Sequence, residues 1–283
     1  MQSMLRHTFC HLPGIGLVRE ERFWACGIES WDDFLAGGPG PSMTNGRFQA
    51  LLPEVQASCR ALECGDAEYF ARGLPKSELW RLFPDFRGSM AAIDIETTGL
   101  RTDADHITTV ALYDGREIRT YVHGRNLERL ADDILDYQIL VSFNGSCFDL
   151  PILERELQMR LPRAHIDVRF VLKSLGYTGG LKRLEKRFGL DRGGLAEVDG
   201  YTAVLLWEAF ERSGDERILE TLLAYNAEDV LNLEHLLVAA CNLKRAGLPL
   251  SGPELPEPYP GLNPFRADSE VLETILRRQL GCD

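Results

Sequence analysis

Five short apolar runs between residues 90 and 168 set the tightest limit on what this chain can fold into. Met90–Ile95, Ile107–Tyr113, Glu117–Val122 and Ile139–Phe143 have the length of strands, and Ile166–Val168 reads as a last short strand or an extended strap. Asp114-Gly115 between the second and third runs is a hairpin signal. Helical patterns follow from Asn126 to Asp136, from Pro151 to about Arg160, and over 169–175, 181–188, 202–212 and 216–245. An antiparallel hairpin group that then alternates with helices predicts an α/β domain with a mixed sheet.

The flanks differ from this centre. Residues 5 to 36 form a compact helical unit in which Leu12-Pro13-Gly14-Ile15-Gly16 makes a hairpin between two short helices, and Ser30 caps a further helix. Residues 37–46 are a turn-rich linker, and 47–82 read as helical with breaks at Gly65 and Gly73-Leu74-Pro75. Beyond residue 245 comes a Pro-rich stretch, then a last helix through Leu280. The expected division is 1–87 for a helical N-terminal region, 88–245 for the main domain and 246–283 for a strap and C-terminal helix.

Composition narrows the function. A hydrophobic fraction of 45% and a charged fraction of 26% exclude disorder for most of the chain. No apolar run reaches membrane-spanning length, and the start has no signal-peptide core. Seven cysteines without a CxxC pair predict free thiols and a cytoplasmic location. The net charge of -12 argues against a nucleic-acid coat protein, but residues 155–192 hold ten Lys/Arg against four acids. That basic stretch is either a surface for a polyanion or a solvated helical face.

The acids carry the chemistry. Asp94 and Glu96 close the first strand and, two residues apart, share a face. Two carboxylates so placed repel unless protonated or bridged, and hard divalent cations answer that need. Asp149 follows the fourth run, where it reads either as a ligand or as an N-cap of the next helix. Tyr225 and Asp229 are i and i+4 and share a helix face, amid an apolar stripe where an acid is costly unless paired, with Arg217 as one partner. Glu228 faces elsewhere and reads as surface. Four acids from three segments describe a two-metal site.

Asp94/Glu96, Asp149 and Tyr225-x-x-x-Asp229 resemble the three exonuclease motifs of the DEDD superfamily, tyrosine subclass; Ala224 stands where the histidine subclass has its His. The words IDIETTGL, SFNGSCFDLPIL and YNAEDVLNLEHLL are most similar to bacterial YprB-like ribonuclease-H-like exonucleases, a group that includes a mitomycin-repair exonuclease working beside a superfamily 2 helicase. The resemblance covers residues 88–245 and extends to the Pro13-Gly14-Ile15-Gly16 segment. It implies a ribonuclease-H-like fold: a five-stranded mixed sheet flanked by helices, with Asp94 and Glu96 on the central strand. It further implies a 3′→5′ exonuclease with two Mg²⁺ or Mn²⁺ ions, DNA as the expected substrate and a superfamily 2 helicase as partner. Asp94 would bridge the ions, Glu96 and Asp229 complete one, Asp149 hold the other chiefly through water, and Tyr225 orient the nucleophile.

Further assignments follow from the same resemblance. Backbone N–H groups of Thr97, Thr98 and Gly99 would bind the terminal nucleotide, Leu100 would wedge against its base, and Asn144 would bond its sugar or phosphate. One pair from Lys182, Arg183, Lys186 and Arg187, with Lys182 foremost, would track the strand backbone. His106 and His165 read as surface or satisfied histidines. The Pro13–Gly16 hairpin resembles a helix-hairpin-helix; Arg19 and Arg22 would help it contact DNA, Glu20 and Glu21 oppose them, and a purely structural cap is the alternative. The competing functions are a ribonuclease or structure-specific endonuclease, and a catalytically silent nucleic-acid-binding subunit of a helicase complex.

Overall fold

A computed structural model describes residues 3–38, 43–99, 105–248, 252–259 and 261–279. Leu100 and the end of the last helix at Leu280 lie outside these residues. The sheet is built from β1 (Met90–Thr97), β2 (Ile107–Tyr113), β3 (Ile118–Val122), β4 (Ile139–Ser142) and β5 (Ala164–Asp167). Their order is β3-β2-β1-β4-β5. β1 runs antiparallel to β2 and parallel to β4, and β4 is parallel to β5. This is the five-stranded mixed sheet of a ribonuclease-H-like fold, with the Asp94/Glu96 strand at its centre. The fifth run is a strand, shifted two residues earlier: Val168 leaves it because Asp167 accepts the Arg169 N–H and caps the next helix.

Helices α1 (Leu17–Ala25), α2 (Trp31–Gly37), α3 (Asn45–Glu63), α4 (Ala67–Gly73) and α5 (Phe83–Phe86) precede the sheet. α6 (Leu130–Asp133), α7 (Asp149–Leu157), α8 (Val168–Ser174), α9 (Leu181–Arg187), α10 (Gly200–Ser213), α11 (Glu216–Arg245) and α12 (Ser269–Gln279) follow β3. Two expected helices are broken. Lys76–Leu82 is a 3₁₀ helix, and 127–136 splits into a single α turn between two 3₁₀ turns. There Asn126 does not cap a helix; its amide accepts the Val122 N–H and donates to the Thr120 carbonyl, closing the end of β3. α7 stops at Leu157 because Gln158 turns left-handed.

Strand alternation sorts the core into two layers. Ala91, Ile93, Ile95, Val110 and Leu112 pack on one face with Leu130, Ile134 and Leu153. On the other face Ala92, Ala111 and Val141 meet Val230, Leu233 and Leu237 of α11, and the cluster continues into Phe9, Trp31, Phe34 and Trp80 of the N-terminal helices. Asp94 and Glu96 belong to this second face, under α11.

The N-terminal helices overturn one reading of the sequence. Glu20 is fully buried and does not oppose Arg19 and Arg22 at the surface. It accepts the N–H groups of Phe9 and Cys10 at 2.6 and 3.0 Å and pairs with Arg81 at 2.9 Å, while Arg81 also holds Glu78 at 2.8 Å. Arg19 and Arg47 both donate to the Gly14 carbonyl, closing the hairpin on itself. At the other end, Asn263 of the Pro-rich stretch donates to the Ala224 carbonyl and to Glu228, which is half-buried and not the free surface acid the sequence suggests. Among the described residues no helix is long and apolar enough to cross a membrane.

Candidate metal centre

β1 and α11 bring the acids together. One carboxylate oxygen each from Asp94, Glu96 and Asp229 lie within 4.8 Å of one another. The strand period puts the first two on the α11 face, and the helix returns Asp229 to it. Asn226, three residues before Asp229 and fully buried, fixes the geometry. Its Nδ2 donates to Asp94 Oδ2 at 2.7 Å and to the Asp94 carbonyl at 3.3 Å, and its Oδ1 accepts from the Thr109 hydroxyl at 3.1 Å.

Asp149 approaches from a third side and stays outside that trio. β4 pairs with β1 only as far as Ala92↔Val141, so the chain then parts from β1. Asp149 fills the gap by accepting the Ile95 N–H at 3.2 Å. It is the first residue of α7 and not its N-cap, which is Phe148. The turn leading there is tight. Asn144 is left-handed (φ 66°), and a Cβ on Gly145 would sit 2.1 Å from the Ser142 hydroxyl. Asp167 secures this turn by accepting the N–H groups of Asn144 and Ser146.

Burial pushes all four carboxyls up. Asp94 and Glu96 are raised well above the carboxylate range by burial first, then by the charges of Asp229 and Asp149. Burial takes Asp149 to about 7 against the pull of two backbone N–H groups. Asp229 reaches about 6, held down by Arg192. An all-oxygen set of acids that resist ionisation until a counter-charge arrives fits a hard divalent cation. Asp94, Glu96 and Asp229 fit such an ion directly, with Asp149 beside them.

Tyr225 lies on the same α11 face one turn before Asp229 and is 6% exposed. Burial, then the charges of Asp229, Glu96 and Asp94, push its phenol above the usual range, so at neutral pH it keeps its proton. Lys182 on α9 does reach the centre: its Nζ stands 5.5 Å from the Tyr225 ring centroid, and burial lowers its pKa. Arg187 instead covers Tyr177.

The loop expected to bind a terminal nucleotide makes bonds of its own. The Thr98 N–H donates to the His106 carbonyl at 3.0 Å, and the Thr97 hydroxyl to the Gly99 carbonyl at 2.7 Å. The Thr98 backbone donor is therefore taken. The Asn144 N–H donates to Asp167 and its Oδ1 accepts from Arg169, and its amide NH₂ has no hydrogen-bond partner among the described residues. His165 is satisfied by Ser142 at 2.8 Å; His106, its ring tilted 44° against His123 with centroids 4.4 Å apart, instead buries its Nε2 without a hydrogen-bond partner among the described residues and so is not the surface or satisfied histidine expected.

Sequence reasoning missed Arg192. Its guanidinium pairs with Asp229, whereas Arg217 turns to Asp215 and Asp268 at the far end of α11. It also missed Asn226, although an Asn three residues before an acid in an apolar helical stripe is itself a signal of an inward polar contact.

No curated protein matches the chain. Among solved structures, NrnC of Brucella melitensis bound to pGG is 22% identical, with a TM-score of 0.42 over 58% of this chain and 78% of that one. Escherichia coli RNase D, an exoribonuclease involved in structured RNA processing, is 22% identical, with a TM-score of 0.36 over 59% of this chain and 46% of that one. The family B DNA polymerase of Pyrobaculum calidifontis is 19% identical, with a TM-score of 0.41 over 56% of this chain, which spans 24% of the polymerase. A family model described as RNase_H superfamily matches residues 91–241, the stretch that carries the sheet from Ala91 onward, Lys182, Arg192 and every acid of the centre. More than half of the sequence is covered by that match, and the chain belongs to the RNase_H superfamily.

Proposed function

We propose that the chain is a metal-dependent 3′→5′ exonuclease that hydrolyses phosphodiester bonds by a two-metal mechanism, with DNA ends as substrate. The observation that carries this is the convergence of Asp94, Glu96 and Asp229, with Tyr225 one turn before the last acid. The 3′→5′ polarity, the YprB-like affiliation, a role in DNA repair, a superfamily 2 helicase partner and a cytoplasmic location rest on the motif resemblance.

Divalent ions, when bound, lower the pKa of a water and neutralise charge on the leaving 3′ oxygen. The chain's own residues do the rest. Asp94, Glu96 and Asp229 would hold the ions, with Asp149 beside them from β4's side. Tyr225 keeps its proton and orients the nucleophile by hydrogen bond. Gly99 and the free amide NH₂ of Asn144 contact the terminal nucleotide, and Lys182 neutralises a backbone phosphate. With a net charge of -12, the isolated protein binds bare nucleic acid weakly at physiological salt, which fits delivery of substrate by a partner.

The test is digestion of a 5′-labelled DNA strand and its RNA counterpart, with and without Mn²⁺, beside Asp94→Ala. A metal-dependent ladder shortening from the 3′ end and absent in the variant is expected. Cleavage unchanged in Asp94→Ala, or no product from the wild type with any metal, overturns the proposal.

A further inference from the structure

A buried basic side chain stands inside the acidic centre. Arg192, 8% exposed, is gripped by Glu185, itself 1% exposed: Nη2 donates to Oε1 at 2.6 Å and Nε to Oε2 of the same carboxylate. Asn232, three residues beyond Asp229 on α11, donates to Glu185 Oε1 at 3.0 Å. The third nitrogen, Nη1, pairs with Asp229 Oδ1. Glu185 alone would neutralise Arg192. The added contact to Asp229 therefore puts a fixed positive charge against the one acid that α11 contributes. A guanidinium hydrogen-bonded along its Nε/Nη2 edge by a buried carboxylate, with Nη1 ion-paired to Asp229, cannot swing to solvent as a surface arginine does.

We propose that Arg192 is a resident counter-cation of the centre. It permanently occupies one oxygen of Asp229, lets the acids fold together without metal, and leaves Asp229 a single oxygen for an ion. This rests on the reading of the acids as a divalent-metal site. A positive charge fixed beside a ligand opposes a second cation, so Arg192 holds metal affinity below what the acids alone would give. It is a positioning residue, acting through Asp229.

The experiment is titration of the full chain with Mn²⁺ alone, by calorimetry and by thermal melting. Glu185→Gln/Arg192→Gln removes both buried charges together, so that neither is left unpaired; Arg192→Lys keeps the charge. The double variant is expected to melt lower in EDTA, to bind Mn²⁺ about tenfold tighter, and to gain more melting temperature on saturation. Arg192→Lys retains wild-type affinity. Unchanged Mn²⁺ affinity in a folded double variant makes Arg192 a packing residue, and weaker affinity makes it only an aligner of Asp229; either overturns the proposal. Should the double variant not fold, Arg192→Met under the same titration decides. Wild type that binds no Mn²⁺ refutes the metal site itself, a result distinct from both.

Discussion

Replacing Asp149 by Asn should change how the metal-free protein's stability responds to pH. The carboxyl is 4% exposed, and burial holds its pKa at about 7 against an ordinary 3.8. Between those values the folded state keeps a proton that the unfolded state has released. The contribution is therefore fully present below 3.8 and is lost as pH rises through 7. Each decade of proton affinity is worth about 1.36 kcal/mol, so the full loss is about 4 kcal/mol. Neighbouring acids titrate with Asp149 and share the proton, which brings the single-residue effect to about 2–4 kcal/mol. His11 and His165, buried neutral with pKa values lowered to about 3 and about 4, act in the opposite sense, adding stability as pH rises toward 6.5. They are present in both proteins and cancel in the difference. Urea unfolding in EDTA at about pH 4.5, 6 and 8 measures it, with m-values checked for constancy. The variant should exceed the wild type by only about 1 kcal/mol at the acid end, already above 3.8, and by the stated amount at the alkaline end. A gap that is flat, or that narrows as pH rises, refutes the assignment of burial as the dominant cause.

Tyr225→Phe keeps the ring and should leave the unfolding free energy in urea within about 0.5 kcal/mol while exonuclease turnover falls about tenfold to a hundredfold, since only a positioning hydrogen bond is lost. Arg81→Met strands the fully buried Glu20 carboxylate and should destabilise by about 3–5 kcal/mol in urea, whereas removing both charges should cost less. Gly145→Ala forces a Cβ onto the Ser142 hydroxyl; about 1–3 kcal/mol of stability should go. The displaced turn should also weaken Mn²⁺ binding through Asp149.

The sheet was legible because its strands are short, apolar and separated by turn signals; Asp114-Gly115 gave the hairpin, whose Gly115 indeed takes φ 87°. The acids were legible by spacing: i and i+2 on β1, and i and i+4 from Tyr225 to Asp229. Asp149's approach is not a spacing. It depends on where β4 parts from β1 and exposes the Ile95 N–H, a tertiary event that resembles helix capping in one dimension. Glu20 was misread for a related reason. Charge alone suggests solvent, but its helix turns it inward beside Phe23 and Trp24, and Arg81, 61 residues away, supplies the partner. Arg192 is hidden likewise, because its grip joins α9, a loop and α11 and leaves no periodic trace.

Three of the four carboxylates have a built-in answer to burial: Asp94 has Asn226, Asp149 has the Ile95 N–H, and Asp229 has Arg192. Glu96 has none, since among the described residues no hydrogen bond or ion pair reaches its carboxylate, although it is 9% exposed. Burial, then Asp229 and Asp149, raise its pKa, while Lys182 and Arg192 offset this only through space. Glu96 is thus the acid whose ionisation most requires a cation. Glu96→Gln should raise the urea midpoint of the metal-free protein at alkaline pH, where wild-type Glu96 is forced to ionise, and should have little effect at acid pH, where it is protonated. The same variant should lose most of the stabilisation that Mn²⁺ gives the wild type, because a neutral amide replaces the ligand with the least other use for its charge. A variant less stable than wild type in EDTA at alkaline pH, or one that Mn²⁺ stabilises as fully, would mean that Glu96 is held by the protein and not kept for the ion.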